Sequence, residues 1–243
     1  MDAIEFKNVN IYFNNNITCI IGSNGSGKSY LMKTIYSNLK NKNVYYMPQY
    51  LEDELYKLTV LDEIKSIIPI KDEDKQMTYI KNALKIIGLN DNILDKDPTS
   101  LNELNLRKIN IVKMFLSNRD YLLLDEPTLL LNDIDKTNFI KIIKKMKRTY
   151  NKNIIISTND MELVNQIGND IILLSDDKII QETKSELFKN IDLLNQCNLN
   201  IPNLLEFSDV AHNKKGIQYR ARDDINDLIK DILRNINKYS KGE

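Results

Sequence analysis

The stretch that decides the fold reads Gly22-Ser23-Asn24-Gly25-Ser26-Gly27-Lys28-Ser29 and is followed directly by Tyr30. It fits the pattern G-x-x-x-x-G-K-[ST], whose glycines let backbone N–H groups converge on phosphate oxygens. The apolar run 17–21 (ITCII) precedes it and predicts a short buried strand, and residues 30–39 predict a helix. A strand, a glycine-rich loop and a helix N-terminus in this order predict a phosphate-binding site.

Two side chains of this loop have specific partners in a nucleoside triphosphate. The Lys28 ammonium can reach the β- and γ-phosphates, and the Ser29 hydroxyl can ligate Mg²⁺. Residues 22–30 are therefore predicted to bind ATP together with Mg²⁺.

A second element follows the apolar run 122–124, where Asp125 and Glu126 precede Pro127. An acid at the end of a buried strand is costly unless it serves a cation, so Asp125 is predicted to lie on the Mg²⁺ side of the site. Glu126 is placed to polarise an attacking water as a general base. Downstream of a phosphate-binding loop, the pair predicts a site for ATP hydrolysis.

Composition narrows the classes of partner. Across 243 residues, 34 Lys and Arg balance 34 Asp and Glu, so no overall charge attracts nucleic acid or anionic lipid. Cys19 and Cys197 are too few for a disulfide framework or a zinc site, and Cys19 is expected to be a buried thiol. The start, MDAIEFKNVN, lacks a signal-peptide pattern, and no apolar run approaches the roughly 20 residues of a membrane span. We therefore expect a cytosolic chain that reaches a membrane only through a partner.

The order of elements predicts an α/β fold. Short, nearly all-apolar strands alternate with helices, which is typical of a mostly parallel sheet covered on both faces. The predicted strands lie at 17–21, 44–47, 121–124, 154–157, 171–174 and 178–180. Residues 1–186 are predicted to form one ATPase domain, with a helical subdomain at about 50–116, and residues 187–243 a C-terminal extension. In that extension, Asp224 is expected to cap a helix whose apolar stripe contacts either the core or a dimer partner.

Three motifs together resemble those of ATP-binding-cassette (ABC) ATPases: GSNGSGKS at 22–29, MPQ at 47–49 and LLLDEPT at 122–128. The run 49–64 (QYLEDELYKLTVLDEI) is similar to the glutamine-loop stretch of energy-coupling factor (ECF) transporter ATPases. Residues 187–202 and 215–217 resemble the C-terminal extension of the same group. The resemblance implies a P-loop cassette with a helical subdomain, a reduced antiparallel β part and a small helical extension.

The resemblance also implies partners. In this family two ATPase subunits pair head to tail around two ATP molecules and pass their closure to an integral membrane transport subunit. Gln49 would sense the γ-phosphate and ligate Mg²⁺, linking the nucleotide to the helical subdomain. No direct nucleic-acid partner is implied, and the expected location is the cytoplasmic face of the cell membrane.

The signature motif of the family, L-S-G-G-Q, departs from its pattern in this chain. It falls opposite Leu101-Asn102-Glu103-Leu104-Asn105. Glu103 and Leu104 replace the two glycines that allow close approach to the partner's γ-phosphate. The carboxylate is expected to repel phosphate and both side chains to add bulk, which predicts an impaired half-site.

Two further motifs depart as well. The switch histidine of the family is Asn159, which can donate a hydrogen bond to the γ-phosphate but carries no positive charge. The dimer-contact loop (D-loop), normally S-A-L-D, ends in Asn132 in place of its acid. The aromatic residue that stacks on adenine is unassigned: Tyr12 and Phe13 are candidates, although packing in an amphipathic strand is the favoured role of both.

The distribution of these changes favours a heterodimer. In a head-to-tail pair, Lys28, Asp125, Glu126 and Asn159 serve one nucleotide, while the signature segment serves the other. In a homodimer, each nucleotide would meet both the altered switch residue Asn159 and the altered signature segment. In a heterodimer with an intact partner, one nucleotide would meet Asn159 and the other the altered signature segment. The main hypothesis is a slowly hydrolysing ATPase subunit of an ECF-type importer for vitamins or metal ions.

Two alternatives remain beside it. One is a nucleotide-binding regulatory subunit that binds ATP with little or no turnover, which the altered motifs favour. The other is a soluble cassette ATPase that works on nucleic acid or the ribosome. A single cassette, no coiled-coil insertion and no basic stripe disfavour the latter.

Overall fold

A computed structural model of the chain describes residues 3–51, 57–175, 178–203, 205–207, 229–230 and 233. Within these residues the strands are β1 (Ile4–Phe6), β2 (Val9–Ile11), β3 (Ile17–Gly22), β4 (Val44–Met47), β5 (Tyr121–Asp125), β6 (Asn153–Ser157), β7 (Asp170–Leu174) and β8 (Ile179–Thr183). The α-helices are α1 (Lys28–Leu39), α2 (Val60–Lys65), α3 (Glu73–Ile86), α4 (Glu103–Leu116), α5 (Asp133–Tyr150), α6 (Met161–Ile167), α7 (Lys184–Leu187) and α8 (Ile191–Gln196). Two 3₁₀ turns, Asp91–Ile93 and Pro98–Ser100, precede α4.

The main sheet has six strands in the order β4-β5-β6-β3-β7-β8. All neighbours pair in parallel except β7 and β8, which are antiparallel. Every residue of β3 is buried, because helices cover both faces of the sheet centre. The predicted α/β class with a mostly parallel sheet is confirmed. Because β3, β5 and β6 are parallel, their carboxyl ends lie at the same edge of the sheet. The start of α1 lies next to this edge.

Capping side chains determine where the long helices begin. The residues that cap α3, α4 and α5 are Asp72, Asn102 and Asn132, respectively. In each case a side-chain oxygen accepts a hydrogen bond from the backbone N–H three residues further on. Helix α5 therefore begins at Asp133, the first position after its cap. It extends to Tyr150 and ends at Asn151, which has a left-handed backbone with φ 49°.

Two hydrophobic clusters lie on the two sides of the sheet. The smaller one joins the β1–β2 hairpin to α1 and includes Phe6, Phe13 and Leu31. The larger one contains α2 to α6 and the buried thiol of Cys19, whose burial raises its pKa to about 12. The two-stranded hairpin and the β7–β8 pair are the antiparallel parts of the described fold.

The first part of the C-terminal extension packs on the larger core. Leu187, Leu194, Leu199 and Leu205 are buried members of that cluster. The helix expected from Asp224 onward and the stretch 215–217 lie outside the described residues, apart from 229–230 and 233. In the described part of the chain, no helix combines the length and apolar character that a bilayer crossing demands.

Helix α4 carries buried cations that join it to its neighbours. Lys113 donates to the Glu63 carboxylate of α2 at 2.8 Å, and both side chains are more than nine-tenths buried. Lys108 pairs with Asp135 of α5 at 2.7 Å, also in the interior. Each pair therefore fixes α4 to a different helix.

Removal of the Lys113 ammonium is expected to destabilise the fold strongly. Lys113→Met leaves the Glu63 carboxylate buried without this cation, which should lower the free energy of unfolding by about 3–5 kcal/mol. Urea denaturation measures the loss. Lys85→Met on the exposed face of α3 is the control and should change stability little. Equal effects of the two substitutions would contradict the role of the pair.

Candidate functional site

The glycine-rich loop connects β3 to α1 with a backbone that only glycine adopts easily. Gly25 and Gly27 have φ 84° and 101°, in the left-handed region. Gly22 is required for space, because a Cβ there would lie 2.3 Å from the carbonyl oxygen of Leu174. The loop closes on itself through the N–H of Ser26, which donates to the carbonyl of Ser23 at 3.2 Å. The N-terminus of α1 follows at Lys28, so its first amides adjoin the loop.

Lys28 is held inside this loop. It is buried, and its Nζ donates to the carbonyls of Gly22 at 2.8 Å and Ser23 at 3.1 Å. Burial lowers the pKa of Lys28, while the carboxylates of Glu126 and Asp125 act in the opposite direction. The ammonium is thus part of the same electrostatic cluster as the two acids. Ser29, the next residue on α1, is half-buried beside it.

Asp125 and Glu126 follow one another at the end of β5, two strands away from β3. The Asp125 side chain is 1% exposed, and its carboxylate accepts a hydrogen bond from the Ser157 hydroxyl at the end of β6. Ser157 is paired in register with both Asp125 and Ile20. The three neighbouring strand ends therefore bring a carboxylate, a hydroxyl and the phosphate-loop candidate to one edge.

Glu126 has the surroundings of a general base. Its Oε2 accepts from the Thr158 hydroxyl at 3.2 Å, which orients the carboxylate. Burial is the largest influence and raises the pKa of Glu126, against the lowering effects of Lys28, Thr158 and the backbone of Asn159. A carboxylate with a raised pKa is a stronger base and accepts a proton more readily.

The raised pKa of Glu126 predicts how the rate of ATP turnover falls at acidic pH. A general base acts only when ionised, so ATP turnover should fall as pH is lowered through a midpoint above the ordinary carboxyl value of 4.5. Steady-state kcat measured from pH 4.5 upward tests this. ATP binding measured over the same range is the control for acid unfolding. A kcat that stays flat until binding itself is lost would contradict the assignment.

Gln49 lies two residues after β4, at the same edge of the sheet. Its backbone carbonyl accepts a hydrogen bond from Arg107 at 2.8 Å, and the residue is half-buried. Tyr30, in contrast, is 66% exposed, and its ring lies 5.6 Å from that of Phe6. Gln49 thus lies at the edge of the sheet where the glycine-rich loop begins, and Tyr30 lies in the first turn of α1 that follows the loop.

Asn159 contacts the glycine-rich loop directly. Its Nδ2 donates to Oδ1 of Asn24 at 2.6 Å, and its own Oδ1 is buried without a hydrogen-bond partner among the described residues. The structure therefore brings Asn159 to the loop, beside the segment that carries Glu126. An uncharged amide occupies this position, so the site gains one donor and no positive charge from it.

The signature segment forms the start of α4. Asn102 is the cap, and its Oδ1 accepts the N–H of Asn105 at 2.9 Å. Leu101 and Leu104 are partly buried and pack against the larger core, whereas Glu103 is exposed. The bulk of Leu104 is consequently directed into the chain's own core.

Asn132, in the D-loop, caps α5 by accepting the N–H of Asp135 at 2.9 Å. The preceding residues, Leu129 and Leu130, are exposed, and Leu130 has φ 67°. A leucine in this left-handed region is uncommon and is held there by the turn from 128 to 131.

The structure corrects one role expected from the sequence. Phe13 packs in the smaller core, as expected, but the packing prediction for Tyr12 is wrong. Tyr12 is 58% exposed. Its backbone N–H and carbonyl, directly after β2, are both bonded by the side-chain amide of Gln181 on β8. Of the two aromatic candidates for adenine, only Tyr12 has a ring available.

Two features of the site were not predicted from the sequence. Arg107 donates to the backbone of both Gln49 and Glu126. The hydroxyls of Ser157 and Thr158 donate hydrogen bonds to Asp125 and Glu126, respectively. Arg107 could have been found from its position within the mostly apolar sequence of α4. A helix of that composition is expected to be buried on most of its surface, so an arginine within it needs polar partners.

The sheet order, the loop between β3 and α1 and the acids at the end of β5 define a P-loop nucleotide hydrolase fold. The sequence model of one family, described as ABC transporter, matches residues 6–129, just over half of the chain. The chain belongs to the ABC transporter family, and it is an ATPase of the cassette type.

Similar proteins come from several bacteria. The energy-coupling factor transporter ATP-binding protein EcfA2 of Mycoplasma capricolum subsp. capricolum is 27% identical, over 86% of this chain and 84% of its own length. EcfA2 of Ligilactobacillus salivarius is 25% identical, over 98% and 94%. The family resemblance inferred from the motifs is therefore confirmed.

Solved structures share the fold. The dimeric structure of MJ0796, a bacterial ABC transporter cassette, is 19% identical with a TM-score of 0.62, covering 73% of this chain and 89% of its own. The cbiO1 protein of Clostridium perfringens, described as part of the ABC transporter complex cbiONQ, is 21% identical with a TM-score of 0.57, covering 83% and 90%. At these identities the likeness concerns the fold alone.

Proposed function

We propose that the loop from Gly22 to Ser29 binds the phosphates of ATP. The observation that carries this is the buried Lys28 ammonium, placed within a loop of left-handed glycines at the start of α1. The two carbonyls that it now contacts are weaker partners than phosphate oxygens, because a full negative charge strengthens such a bond. The amides of the loop and of the first turn of α1 supply further donors. Tyr30 would flank the phosphates from the same turn.

Mg²⁺ fits the oxygen donors at this edge of the sheet. The Ser29 hydroxyl, the Asp125 carboxylate and the Gln49 side chain are hard ligands of the kind that Mg²⁺ prefers. Among the described residues no three His, Cys, Asp or Glu side chains cluster as a metal cage. That suits Mg²⁺, which commonly takes one or two protein carboxylates together with phosphate oxygens and water. When bound, the ion would neutralise charge on the β- and γ-phosphates.

Glu126 would act on the attacking water. Its carboxylate is oriented by Thr158, and its raised pKa favours proton acceptance. Asn159 would donate one hydrogen bond near the γ-phosphate, from its place beside Asn24. Because this donor is uncharged, we expect turnover to be slow.

The biological role we propose is that of the ATPase subunit of an ECF-type importer at the cytoplasmic face of the cell membrane. This is supported by the two EcfA2 relatives, which match most of this chain and are described as energy-coupling factor transporter ATP-binding proteins. Residues 1–186 would form the cassette, with a helical subdomain at about 50–116 that contacts an integral membrane transport subunit. Residues 187–243 would form the C-terminal extension, and nucleic acid would not be a direct partner.

A heterodimer with a second cassette fits the site best. Asn159 and the signature segment Leu101–Asn105 depart from the family pattern at positions that serve different nucleotides in a head-to-tail pair. A partner with intact motifs would leave each nucleotide with one complete half.

Affinity purification from the native cell tests this role. The tagged chain should retain a second cassette ATPase and a multi-helix membrane protein in a stable, stoichiometric complex. Recovery of ribosomes or nucleic acid in place of these partners would refute the importer role.

A second candidate is a regulatory subunit that binds ATP with little turnover. The uncharged Asn159 and the exposed Glu103 at the start of α4 favour it. ATPase assays on the complex beside Glu126→Gln separate the two functions. Equal rates in wild type and variant would support the binding-only role.

A further inference from the structure

Arg107 is a charged residue in the interior of the protein. Its side chain is 0% exposed on α4, one turn beyond the start of that helix. A buried guanidinium loses the hydration of a full charge, which is costly unless other groups compensate. Burial lowers the pKa of Arg107, while the carboxylates of Glu103, Glu126 and Asp125 oppose that effect. The cation is therefore embedded in the acidic part of the site.

The guanidinium connects two segments of the site through their backbones. Its Nη1 donates to the carbonyl of Glu126 at 2.8 Å, and its Nη2 donates to the carbonyl of Gln49 at 2.8 Å. The planar fork of an arginine fixes the relative positions of two such acceptors, whereas a lysine ammonium does not. One side chain thus connects the residue that follows β5, Glu126, to Gln49, which follows β4.

The backbone of Glu126 requires such support. It has φ 47°, a left-handed conformation that is unfavourable for a residue with a side chain. The N–H of Glu126 donates to the carbonyl of Ser157 at 2.9 Å, and Arg107 bonds the opposite side of the residue. Because the direction of a side chain follows from its backbone, these two bonds determine where the carboxylate points.

Arg107 also connects this backbone to the signature segment. Glu103, the first residue of α4, has its Oε1 3.7 Å from Nη2 of Arg107. The two residues are one helical turn apart, so a shift of the start of α4 moves the guanidinium with it. Such a shift would change the contacts with Gln49 and Glu126 together.

We propose that Arg107 is a positioning residue for ATP hydrolysis, which holds Glu126 and Gln49 in place relative to the signature segment of α4. The inference rests on the proposed function, because it assigns Glu126 as the base. Arg107 itself contacts neither nucleotide nor water in this role. Its effect should therefore appear in kcat much more than in ATP affinity.

Lys113 provides a matched control on the same helix. It is also a buried cation of α4, but it pairs with Glu63 of α2, away from the site. Lys113→Met and Arg107→Lys both disturb a buried contact of α4. Only the second disturbs the backbones of Gln49 and Glu126.

The experiment compares steady-state kinetics of the purified complex with these two substitutions. Arg107→Lys keeps the charge but is shorter and lacks the planar fork that bonds the two carbonyls from separate nitrogens. We therefore expect kcat to fall about tenfold or more, with KM for ATP changed less than about threefold. Lys113→Met should keep kcat within about twofold of wild type. An Arg107→Lys enzyme with wild-type kcat overturns the proposal. So does a rise in KM at unchanged kcat, which would indicate a role in binding.

Hydrogen exchange tests the contact between Arg107 and the backbone of Glu126 without a measurement of turnover. The peptide that contains 121–130 should exchange faster in Arg107→Lys than in wild type or Lys85→Met, because one bond to Glu126 is lost. If the wild-type complex hydrolyses no ATP, the proposed function fails, and the exchange result still tests the contact. Equal exchange in all three proteins would overturn it.

Discussion

Lys28→Ala is expected to abolish measurable ATP binding. The substitution removes the ammonium that lies in the loop beside Gly22 and Ser23, and with it the charge-assisted bonds to the β- and γ-phosphates. Loss of such contacts should weaken binding by about 3–5 kcal/mol, or at least about a hundredfold. Titration calorimetry with ATP and Mg²⁺ measures the change.

Lys33→Ala is the matched control for this experiment. Lys33 is an exposed residue of the same helix, five positions further on, and should bind ATP as wild type does. Retained binding in Lys28→Ala would show that the phosphates are held elsewhere. Loss in both variants would point to a fault in the helix rather than in the site.

Glu126→Gln should retain ATP binding and lose turnover. The amide fills the same space but cannot accept the proton of the attacking water, a contribution of about 10²–10⁴-fold. We therefore expect kcat to fall at least about a hundredfold, with ATP affinity close to that of wild type. Phosphate release is measured in the purified complex with the phosphate-binding lysine of the partner cassette replaced by alanine. Nucleotide binding by the same complex separates the two effects.

Glu182→Gln supplies the control for the loss of one carboxylate. Glu182 lies exposed on β8, at the opposite edge of the sheet from β4, and should leave kcat unchanged. A Glu126→Gln variant with wild-type kcat would exclude Glu126 as the base. The assignment of Thr158 as the residue that orients it would fail with it.

Much of the fold was predictable because the information is local. Each buried parallel strand is a short apolar run, and the six strands of the main sheet were expected at nearly the positions where they occur. The loop 22–29 was predictable because its glycines and Lys28 have fixed roles at fixed spacing. The strand-end position of Asp125 and Glu126 follows from the same pattern.

The features that were missed depend on contacts between distant segments. Arg107 bonds carbonyls of Gln49 and Glu126, and no sequence pattern shows which carbonyl a buried guanidinium meets. The backbone of Tyr12 is bonded by the side-chain amide of Gln181, which lies 169 positions away in the sequence. The inward packing of Leu104 depends on where the capping bond of Asn102 starts α4.

Single-turnover hydrolysis tests ATP hydrolysis at this site most directly, in the purified complex of this chain with a partner cassette whose own phosphate-binding lysine is replaced by alanine. Radiolabelled ATP is bound with Mg²⁺, the excess is removed, and the release of labelled phosphate is followed over time. We predict slow but complete release in wild type and a rate at least about a hundredfold lower in Glu126→Gln. Release at the same rate in both proteins would contradict ATP hydrolysis at this site.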